Sequence, residues 1–141
     1  MKPLEIVARL WERIEARDWD GVARLLADDV VIEWPVSGER IVGRDNFIAV
    51  NRDELYADEV YGEGAAERSV ELLRILADGE LVVTEVEMPQ DHVVYRAVSW
   101  WTVRGGEVIE AREYWTTPGQ DPAPSWRSGY VEPLSGSPRH T

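Results

Sequence analysis

The stretch Ala-Arg-Glu-Tyr-Trp at residues 111–115 decides the fold, because it reads as a late strand with one glutamate among apolar and aromatic residues. Working back from it, residues 43–45 are a Gly-Arg-Asp turn, and an earlier strand ends in Trp-Pro at residues 34–35. Two short amphipathic helices come first and are closed by Ala-Asp-Asp at residues 27–29. Helices followed by a run of strands predict an α+β fold. We expect a cone-shaped cup that holds the carboxylate of Glu113 inside it.

The composition is typical of one globular domain. The chain has 141 residues, of which 44% are hydrophobic and 30% are charged, so it can bury a core. Its net charge of -12 disfavours nucleic acid and anionic membranes as partners. Without cysteine, it has no disulfide and no thiolate nucleophile or ligand. We see neither a signal peptide nor a stretch long enough to span a bilayer, and we expect a cytoplasmic protein.

Helices are predicted where apolar residues recur every three or four positions. The first helix opens at Pro3, and Asp18 is the predicted N-cap of a second helix that ends at residues 28–29. Asp45 could cap a third helix that carries Phe47. The apolar side of the first helix consists of Ile6, Val7, Leu10, Trp11 and Ile14.

Strands are predicted between turn signals. The predicted strands are residues 30–34, 69–77, 81–88, 93–103 and 108–116, with turns at residues 37–39, 78–79, 89–91 and 105–106. The acidic, glycine-punctuated residues 53–64 are predicted to form a loop or a mobile flap.

The composition changes after Thr117, which divides the chain into a domain at residues 1–117 and a proline-rich tail at residues 118–141. Trp126 and Tyr130 are apolar anchors of this tail. Because prolines lower the entropy cost of ordering, we expect residues 118–134 to pack on the domain or on a dimer mate. In that arrangement Trp126 fills an apolar groove and Arg127 pairs with a carboxylate.

Register determines which strand residues share a face. A bulged loop at residues 104–106 places Ala97 opposite Glu113, whereas a two-residue loop would mix the two faces. The bulged register gives an inner face of Tyr95, Ala97, Ser99, Trp101, Val103, Ile109, Ala111, Glu113 and Trp115. The outer face then holds Arg96, Val98, Trp100, Thr102, Glu110, Arg112 and Tyr114.

The turn after Met88 decides the facing of the preceding strand. An even-length turn adds Val82, Thr84, Val86 and Met88 to the inner face and sets Glu85 opposite Arg96. An odd-length turn would instead send Glu85 and Glu87 inward.

Glu113 is then the single acid of an apolar inner face. Burial penalises a lone carboxylate, so we expect the pKa of Glu113 to be raised, as general acid or base chemistry requires. The alternative is a structural glutamate that is hydrogen-bonded to Tyr95, Ser99 or a buried water.

With these motifs in place, the chain resembles the NTF2-like superfamily and, within it, the SnoaL-like branch. The resemblance rests on the order of Arg-Asp-Trp-Asp at residues 17–20, the segment 25–30, residues 43–45 and residues 112–115, and it spans roughly residues 4–117. It implies a curved mixed sheet around a central cavity, with about three N-terminal helices covering it, in a homodimer. The superfamily includes polyketide cyclases, ketosteroid isomerases and limonene epoxide hydrolases, alongside members without known activity.

The resemblance carries over to Glu113, which matches the acid near the end of the last strand in the cyclases and epoxide hydrolases, although those usually have Asp. Residues 84–87 offer acids but lack the arginine of the epoxide hydrolases. Tyr95 could act as the oxyanion donor of an isomerase, but its surrounding motif differs.

The leading interpretation is a cavity protein for a small, largely apolar molecule, in which Glu113 moves a proton and Tyr95 and Ser99 donate hydrogen bonds. The predicted walls are Trp34, Phe47, Val86, Met88, Trp101 and Trp115. The rival is a non-catalytic module that binds a ligand or a protein. No cofactor is implied. No metal is expected, because neither His92 nor His140 has a second ligand at metal spacing.

The outer face is too aromatic for open water. We therefore expect a homodimer across it, with Trp100 and Tyr114 near its centre.

Overall fold

A computed structural model gives the structure of residues 1–55, 69–90 and 93–134. The helices are α1 (Pro3–Glu15), α2 (Trp19–Leu25) and α3 (Arg44–Leu55). The strands are β1 (Leu26–Trp34), β2 (Glu39–Val42), β3 (Glu71–Asp78), β4 (Leu81–Gln90), β5 (Val93–Arg104) and β6 (Glu107–Thr116). A short 3-10 turn covers Ser125–Arg127. Of the predicted acidic loop at 53–64, residues 53–55 belong to α3 and the rest lies outside the described residues.

Helix α1 covers the inner face of the sheet. Its five predicted apolar residues are all buried, as expected for a stripe that recurs at helical spacing. Asp18 caps α2 as predicted, since its carboxylate accepts a hydrogen bond from the Gly21 N–H at 3.0 Å. These two helices therefore form the layer that closes the core from one side.

The boundary between α2 and β1 differs from the prediction. The helix ends at Leu25, and the strand already begins at Leu26. Leu26 pairs with Val108 of β6, and the register then shifts before Val31. The acids at residues 28–29 are exposed in this irregular stretch. The helix therefore ends before the two acids that were predicted to end it, because Leu26 is buried as the first residue of the strand.

Strand β2 was not predicted. It pairs with β1 in antiparallel orientation, and Ile41 is its one buried residue. The strand has only four residues and one buried side chain, so its sequence does not show the alternation by which a strand is predicted. Gly43 follows β2 with a φ of 95°, a conformation that favours glycine. Helix α3 begins directly after it, so Asp45 lies in the first helical turn rather than before it.

The sheet has six strands in the order β2-β1-β6-β5-β4-β3 and is curved and mixed. The β1–β6 pair is parallel, and the remaining pairs are antiparallel. The predicted α+β fold class is confirmed. The parallel pair has a direct consequence for the site: Glu33 faces Arg112, so the ends of the first and the last strand lie side by side.

The predicted faces are correct except at residues 108–109, and three details of register are wrong. Ser99, not Ala97, pairs with Glu113. A bulge between Thr102 and Val103 pairs Val103 with Val108, which is buried in the place expected for Ile109. A bulge adds one residue on one strand and so changes the facing beyond it.

The third correction concerns the β4–β5 hairpin. Its pairing continues to Gln90 and Val93, so Glu87 rather than Glu85 faces Arg96. The Glu87–Arg96 ion pair is 3.0 Å long, and Glu85 pairs with Arg74 at 3.4 Å. The displacement is two residues, which preserves facing. Both glutamates therefore point away from the core, as the even-length turn predicted.

The tail after Thr117 leaves its apolar anchors in solvent. Trp126 is 71% exposed, and Tyr130 and Leu134 are more exposed still. Insertion of Trp126 into a groove of its own domain, one of the two predicted arrangements, does not occur within the single chain. Packing on a second copy stays a prediction.

Candidate functional site

Glu113 lies at the end of the inner face, where β6 runs between β1 and β5. Its exposure is 2%, and Ser99 is its cross-strand neighbour on β5. The alternation of β6 turns Ala111 and Glu113 inward and Arg112 and Tyr114 outward. Strand geometry therefore places one carboxylate beside an otherwise apolar core.

Both oxygens of this carboxylate accept hydrogen bonds from neutral donors. The indole N–H of Trp34 donates to Oε1 at 3.1 Å, and the hydroxyl of Ser99 donates to Oε2 at 2.8 Å. An indole N–H can only donate, so Oε1 is an acceptor in this arrangement. Together, Trp34 and Ser99 define the orientation of the carboxyl plane.

A cleft of about 260 Å³ opens next to the carboxylate. Aromatic rings from three strands contribute to it: Trp34 of β1, Tyr95 of β5 and Trp115 of β6. Its complete lining within the described residues is Trp34, Val36, Ser37, Glu39, Tyr95, Glu113, Trp115, Thr116, Thr117 and Gln120. The acid therefore stands at the wall of an aromatic cleft.

One part of the cleft rim comes from the start of the tail. The Thr117 N–H donates to the Gln120 side chain at 3.0 Å, and the Gln120 N–H donates to the Thr117 carbonyl at 3.2 Å. Gly119, with a φ of 81°, makes the turn between them. The rim is thus a hydrogen-bonded turn rather than a free chain end.

The predicted site residues divide into two groups. Glu113, Tyr95, Trp34 and Trp115 line the cleft, and Ser99 is buried behind it against the carboxylate. The other four predicted wall residues, Phe47, Val86, Met88 and Trp101, lie buried in the core and are not part of the cleft lining. The Ser99 hydroxyl donates to Glu113, which is the contact expected under the alternative of a structural glutamate, and a role of Ser99 toward a ligand stays a prediction.

Trp101 belongs to a second polar contact deeper in the core. Its indole N–H donates to the Thr84 hydroxyl oxygen at 2.9 Å, and Trp11 donates to the same oxygen at 3.2 Å. The Trp11 and Trp101 rings meet edge to face with centroids 5.7 Å apart. This cluster closes the middle of the inner face, which leaves the cleft at its end.

Sequence reasoning missed two features of the cleft. Trp34 is a hydrogen-bond donor to the acid as well as a wall, and residues 36–39 and 117–120 complete the rim. The Trp-Pro at residues 34–35 signalled a strand end but not what lies beside it. The parallel β1–β6 pairing connects segments 79 residues apart.

The opposite face of the same strands carries an ion network. Glu33 accepts from Arg112 at 2.9 Å and from Arg40 at 3.1 Å. The hydrogen bond from Arg112, followed by that from Arg40, lowers the pKa of Glu33 below its ordinary value. Within residues 1–55, 69–90 and 93–134, no group of three or more His, Cys, Asp or Glu residues is placed to hold a metal ion.

Fold and site together define a class: an α+β protein whose curved mixed sheet presents a buried carboxylate to an aromatic cleft. The SnoaL-like domain matches residues 7–111, and the chain belongs to this family. The match ends two residues before Glu113. The placement of this carboxylate therefore comes from the structure and not from the family match. No curated protein matches the sequence.

Solved structures agree with the family assignment. A protein from Kribbella flavida DSM 17836 assigned as a ketosteroid isomerase is 25% identical, covers 95% of this chain and 90% of its own, and has a TM-score of 0.76. An LEH-like epoxide hydrolase from M. tuberculosis is 24% identical, covers 81% and 82%, and has a TM-score of 0.63. IdmH from Streptomyces antibioticus, assigned as a polyketide cyclase, is 18% identical, covers 82% and 92%, and has a TM-score of 0.68.

The described helices include none that is long and apolar enough to cross a membrane.

Proposed function

We propose that this protein binds a small, largely apolar molecule in the Glu113 cleft and moves a proton on it without a cofactor. The observation that carries the proposal is the buried carboxylate at the wall of an aromatic cleft, with both oxygens held by Trp34 and Ser99. A buried carboxylate in a fixed orientation can act as a general base or acid. Membership of a fold family that includes isomerases, cyclases and epoxide hydrolases supports the same class of chemistry.

The simplest reaction is proton abstraction next to a carbonyl. The C–H bond of the ligand breaks, its proton goes to the Glu113 carboxylate, and the electron pair moves through the new C=C bond to the carbonyl oxygen. Tyr95, which lines the same cleft, would donate a hydrogen bond to that oxygen as it gains charge. Glu113 then returns the proton to the same carbon or to another position, which restores the free carboxylate.

The size of the cleft bounds the ligand. A cavity of roughly 150 Å³ holds benzene, and typical ligand pockets begin at roughly 300 Å³. The cleft of about 260 Å³ therefore suits a molecule of one or two rings. The flat faces of Trp34, Trp115 and Tyr95 favour an aromatic or otherwise planar skeleton.

The second candidate is a non-catalytic binding module. The observation that favours it is that two neutral donors already satisfy the carboxylate, as expected for a group that anchors a ligand by accepting one further hydrogen bond. Turnover distinguishes the two candidates, since ligand binding is common to both.

Hydrogen–deuterium exchange into 2-tetralone and phenylacetone in D₂O, followed by NMR, tests the proposal without knowledge of the natural substrate. Both compounds have an acidic C–H beside a carbonyl and one or two rings. We expect the protein to accelerate exchange and Glu113→Gln to reduce the acceleration by at least about a hundredfold, in the range given by general-base catalysis.

The matched control is Glu87→Gln, because Glu87 is paired with Arg96 on the outer face and should leave exchange unchanged. Binding of both ketones without exchange would favour the non-catalytic module. Equal exchange by the wild type and Glu113→Gln would refute the role of Glu113.

The expected setting follows from the charge of the whole chain. A net charge of -12 opposes association with nucleic acid or an anionic membrane surface. With those two classes disfavoured, we propose a small molecule as the partner, together with a second copy of the chain as the resemblance implies, in the cytoplasm.

A further inference from the structure

The charged residues of the cleft beside Glu113 are all of one sign. In the described part of the chain its lining includes the acids Glu39 and Glu113, and it includes no lysine, arginine or histidine. A cleft that is lined by charge of one sign concentrates ligands of the opposite sign. The net charge of -12 on the whole chain strengthens the same field.

Strand pairing places Glu39 in the cleft. It is the first residue of β2 and lies opposite Trp34 of β1, and opposed residues of an antiparallel pair share a face. Ile41, two positions further along β2, is buried on that face. The side chain of Glu39 is exposed, and its carboxylate makes no ion pair or hydrogen bond with the described residues. The carboxylate of Glu39 is therefore available to a ligand at the mouth of the cleft.

Neighbouring arginines of β2 and β6 serve the opposite face of the sheet. Arg40 and Arg112 both bond Glu33 there, because the alternation along each strand turns them away from the side on which Glu39 and Glu113 lie. The fold thus separates the charges of these strand ends, with arginines outside and acids at the cleft.

Aromatic rings supply the second half of the recognition. Trp34, Tyr95 and Trp115 come from three different strands and line the same cleft as the two acids. A cation is attracted to the face of an aromatic ring, most strongly to tryptophan, and cages of such rings are the usual binding sites of organic ammonium groups. A neutral planar ligand gains only from the rings, whereas a protonated amine gains from the rings and the acids together.

We propose that the ligand of the Glu113 cleft is a planar organic amine in its protonated form. Its rings lie among Trp34, Tyr95 and Trp115, and its ammonium group is attracted by the carboxylates of Glu39 and Glu113. The inference rests on the proposed function for the position of the ligand and narrows the class to which that ligand belongs. Since a buried charge is costly unless it is paired, an amine that offsets the acids binds better than a neutral molecule of the same shape.

Isothermal titration calorimetry with 2-aminotetralin and 2-tetralone tests the proposal. The two compounds share one bicyclic skeleton, and only the amine is positively charged at neutral pH. We expect the protein to bind the amine at least about tenfold more tightly than the ketone, as a charge-assisted contact requires. The preference should shrink as salt is added, because salt screens the exposed carboxylate of Glu39.

Substitutions of single acids locate the charge that the amine senses. Glu39→Gln should reduce the preference for the amine by about two- to fivefold, the range of an exposed ion pair. Glu113→Gln should reduce it by about tenfold or more, because this carboxylate is buried. The matched control is Glu71→Gln, which removes the same charge from an exposed position of β3, at the opposite edge of the sheet from β2, and should leave the preference unchanged.

The amine should also displace 2-tetralone in an NMR competition experiment, which places both compounds in one site. Equal affinity for the two compounds, or tighter binding of the ketone, would refute the amine while the proposed proton transfer would stand. A preference that survives both Glu39→Gln and Glu113→Gln, or an amine that binds without displacing the ketone, would show attraction elsewhere on the chain and overturn the inference. Failure to bind either compound would refute the ligand binding proposed for the cleft itself.

Discussion

Two side chains of the same inner face, Thr84 and Glu113, accept hydrogen bonds from tryptophan indoles, with different consequences. In the middle of the face, Trp11 and Trp101 both donate to the neutral Thr84 hydroxyl, which is completely buried. At the end of the face, Trp34 donates to the Glu113 carboxylate, which borders a cleft. The same donor chemistry therefore closes the core in one place and orients an acid in the other.

The difference lies in what surrounds the acceptor oxygen. Around Thr84 the Trp11 and Trp101 rings pack edge to face. None of these three residues lines the cleft. Around Glu113, the half-buried rings of Trp34 and Trp115 leave an opening. Trp11 touches both regions, because its ring also lies 6.4 Å from that of Trp115. The buried Trp11–Thr84–Trp101 cluster therefore packs against Trp115, a residue of the cleft wall.

The largest expected change in stability comes from removing the Thr84 hydroxyl, which accepts both buried indole hydrogen bonds. Thr84→Val keeps the shape of the side chain but leaves two buried indole N–H groups without an acceptor. Each unsatisfied buried donor costs about 1–3 kcal/mol, so we expect the two together to lower the free energy of unfolding by about 2–6 kcal/mol. Urea titration measures it. Thr102→Val, whose hydroxyl contacts Glu110 on the outer face, is the control and should change stability by less than about 0.5 kcal/mol.

A smaller effect is expected from Trp34→Phe, which keeps an aromatic ring but removes the N–H. Water from the cleft can replace the lost donor, so the cost should be about 1 kcal/mol or less. Since a hydrogen bond to a carboxylate favours its charged form, the pH profile of 2-tetralone exchange should move to higher pH. An unshifted profile would mean that the indole N–H does not influence Glu113.

Glu113→Gln should be milder still for stability. The amide retains an oxygen for Trp34, and Ser99 can accept from its NH₂ group, so both contacts have a partner. We expect the melting temperature to be unchanged or higher, with ligand exchange lost. A drop in unfolding free energy of more than about 2 kcal/mol with unaltered ligand binding would identify Glu113 as structural.

The smallest effect concerns an exposed glutamate on the other side of β1. Arg112 and Arg40 lower the pKa of Glu33, so its contribution to stability is present above the ordinary value of 4.5 and is lost as pH falls through the lowered folded-state pKa. Glu33→Gln should therefore be slightly less stable than the wild type at neutral pH and equal to it in strong acid. Thermal melts across this range measure the difference, and a pH-independent gap would contradict the linkage.

Sequence patterns were sufficient where a local rule applied. The apolar spacing of Ile6 to Ile14 predicted α1, Asp18 predicted a cap, and strand alternation placed Glu113 inward. The same alternation placed Trp100 and Tyr114 outward. These features depend on neighbours within a few residues or on the alternation of side chains along a strand. That alternation is unchanged when the register of a strand pair differs by two residues.

Patterns failed where an extra residue or a distant strand intervened. The bulge near Val103 exchanged Ile109 for Val108 at the inner face, and no composition signal marks it. The expected wall residues Val86, Met88 and Trp101 do face inward, but they are buried in the core cluster, where the Trp101 ring packs against Trp11 of α1. Facing inward and lining a cleft are separate properties, because the packing of other core residues over the sheet decides between them.

The sequence by itself determined the α+β class, the helices, most strands and the side of the sheet on which Glu113 lies. The tertiary structure alone decided that Trp34 and Ser99 hold the carboxylate, and that the cleft opens at the strand ends rather than at the centre of the cup. The physical reason is distance along the chain. Trp34 meets Glu113 across 79 residues through a parallel strand pair, and such a contact depends on the register of the whole sheet rather than on any local pattern.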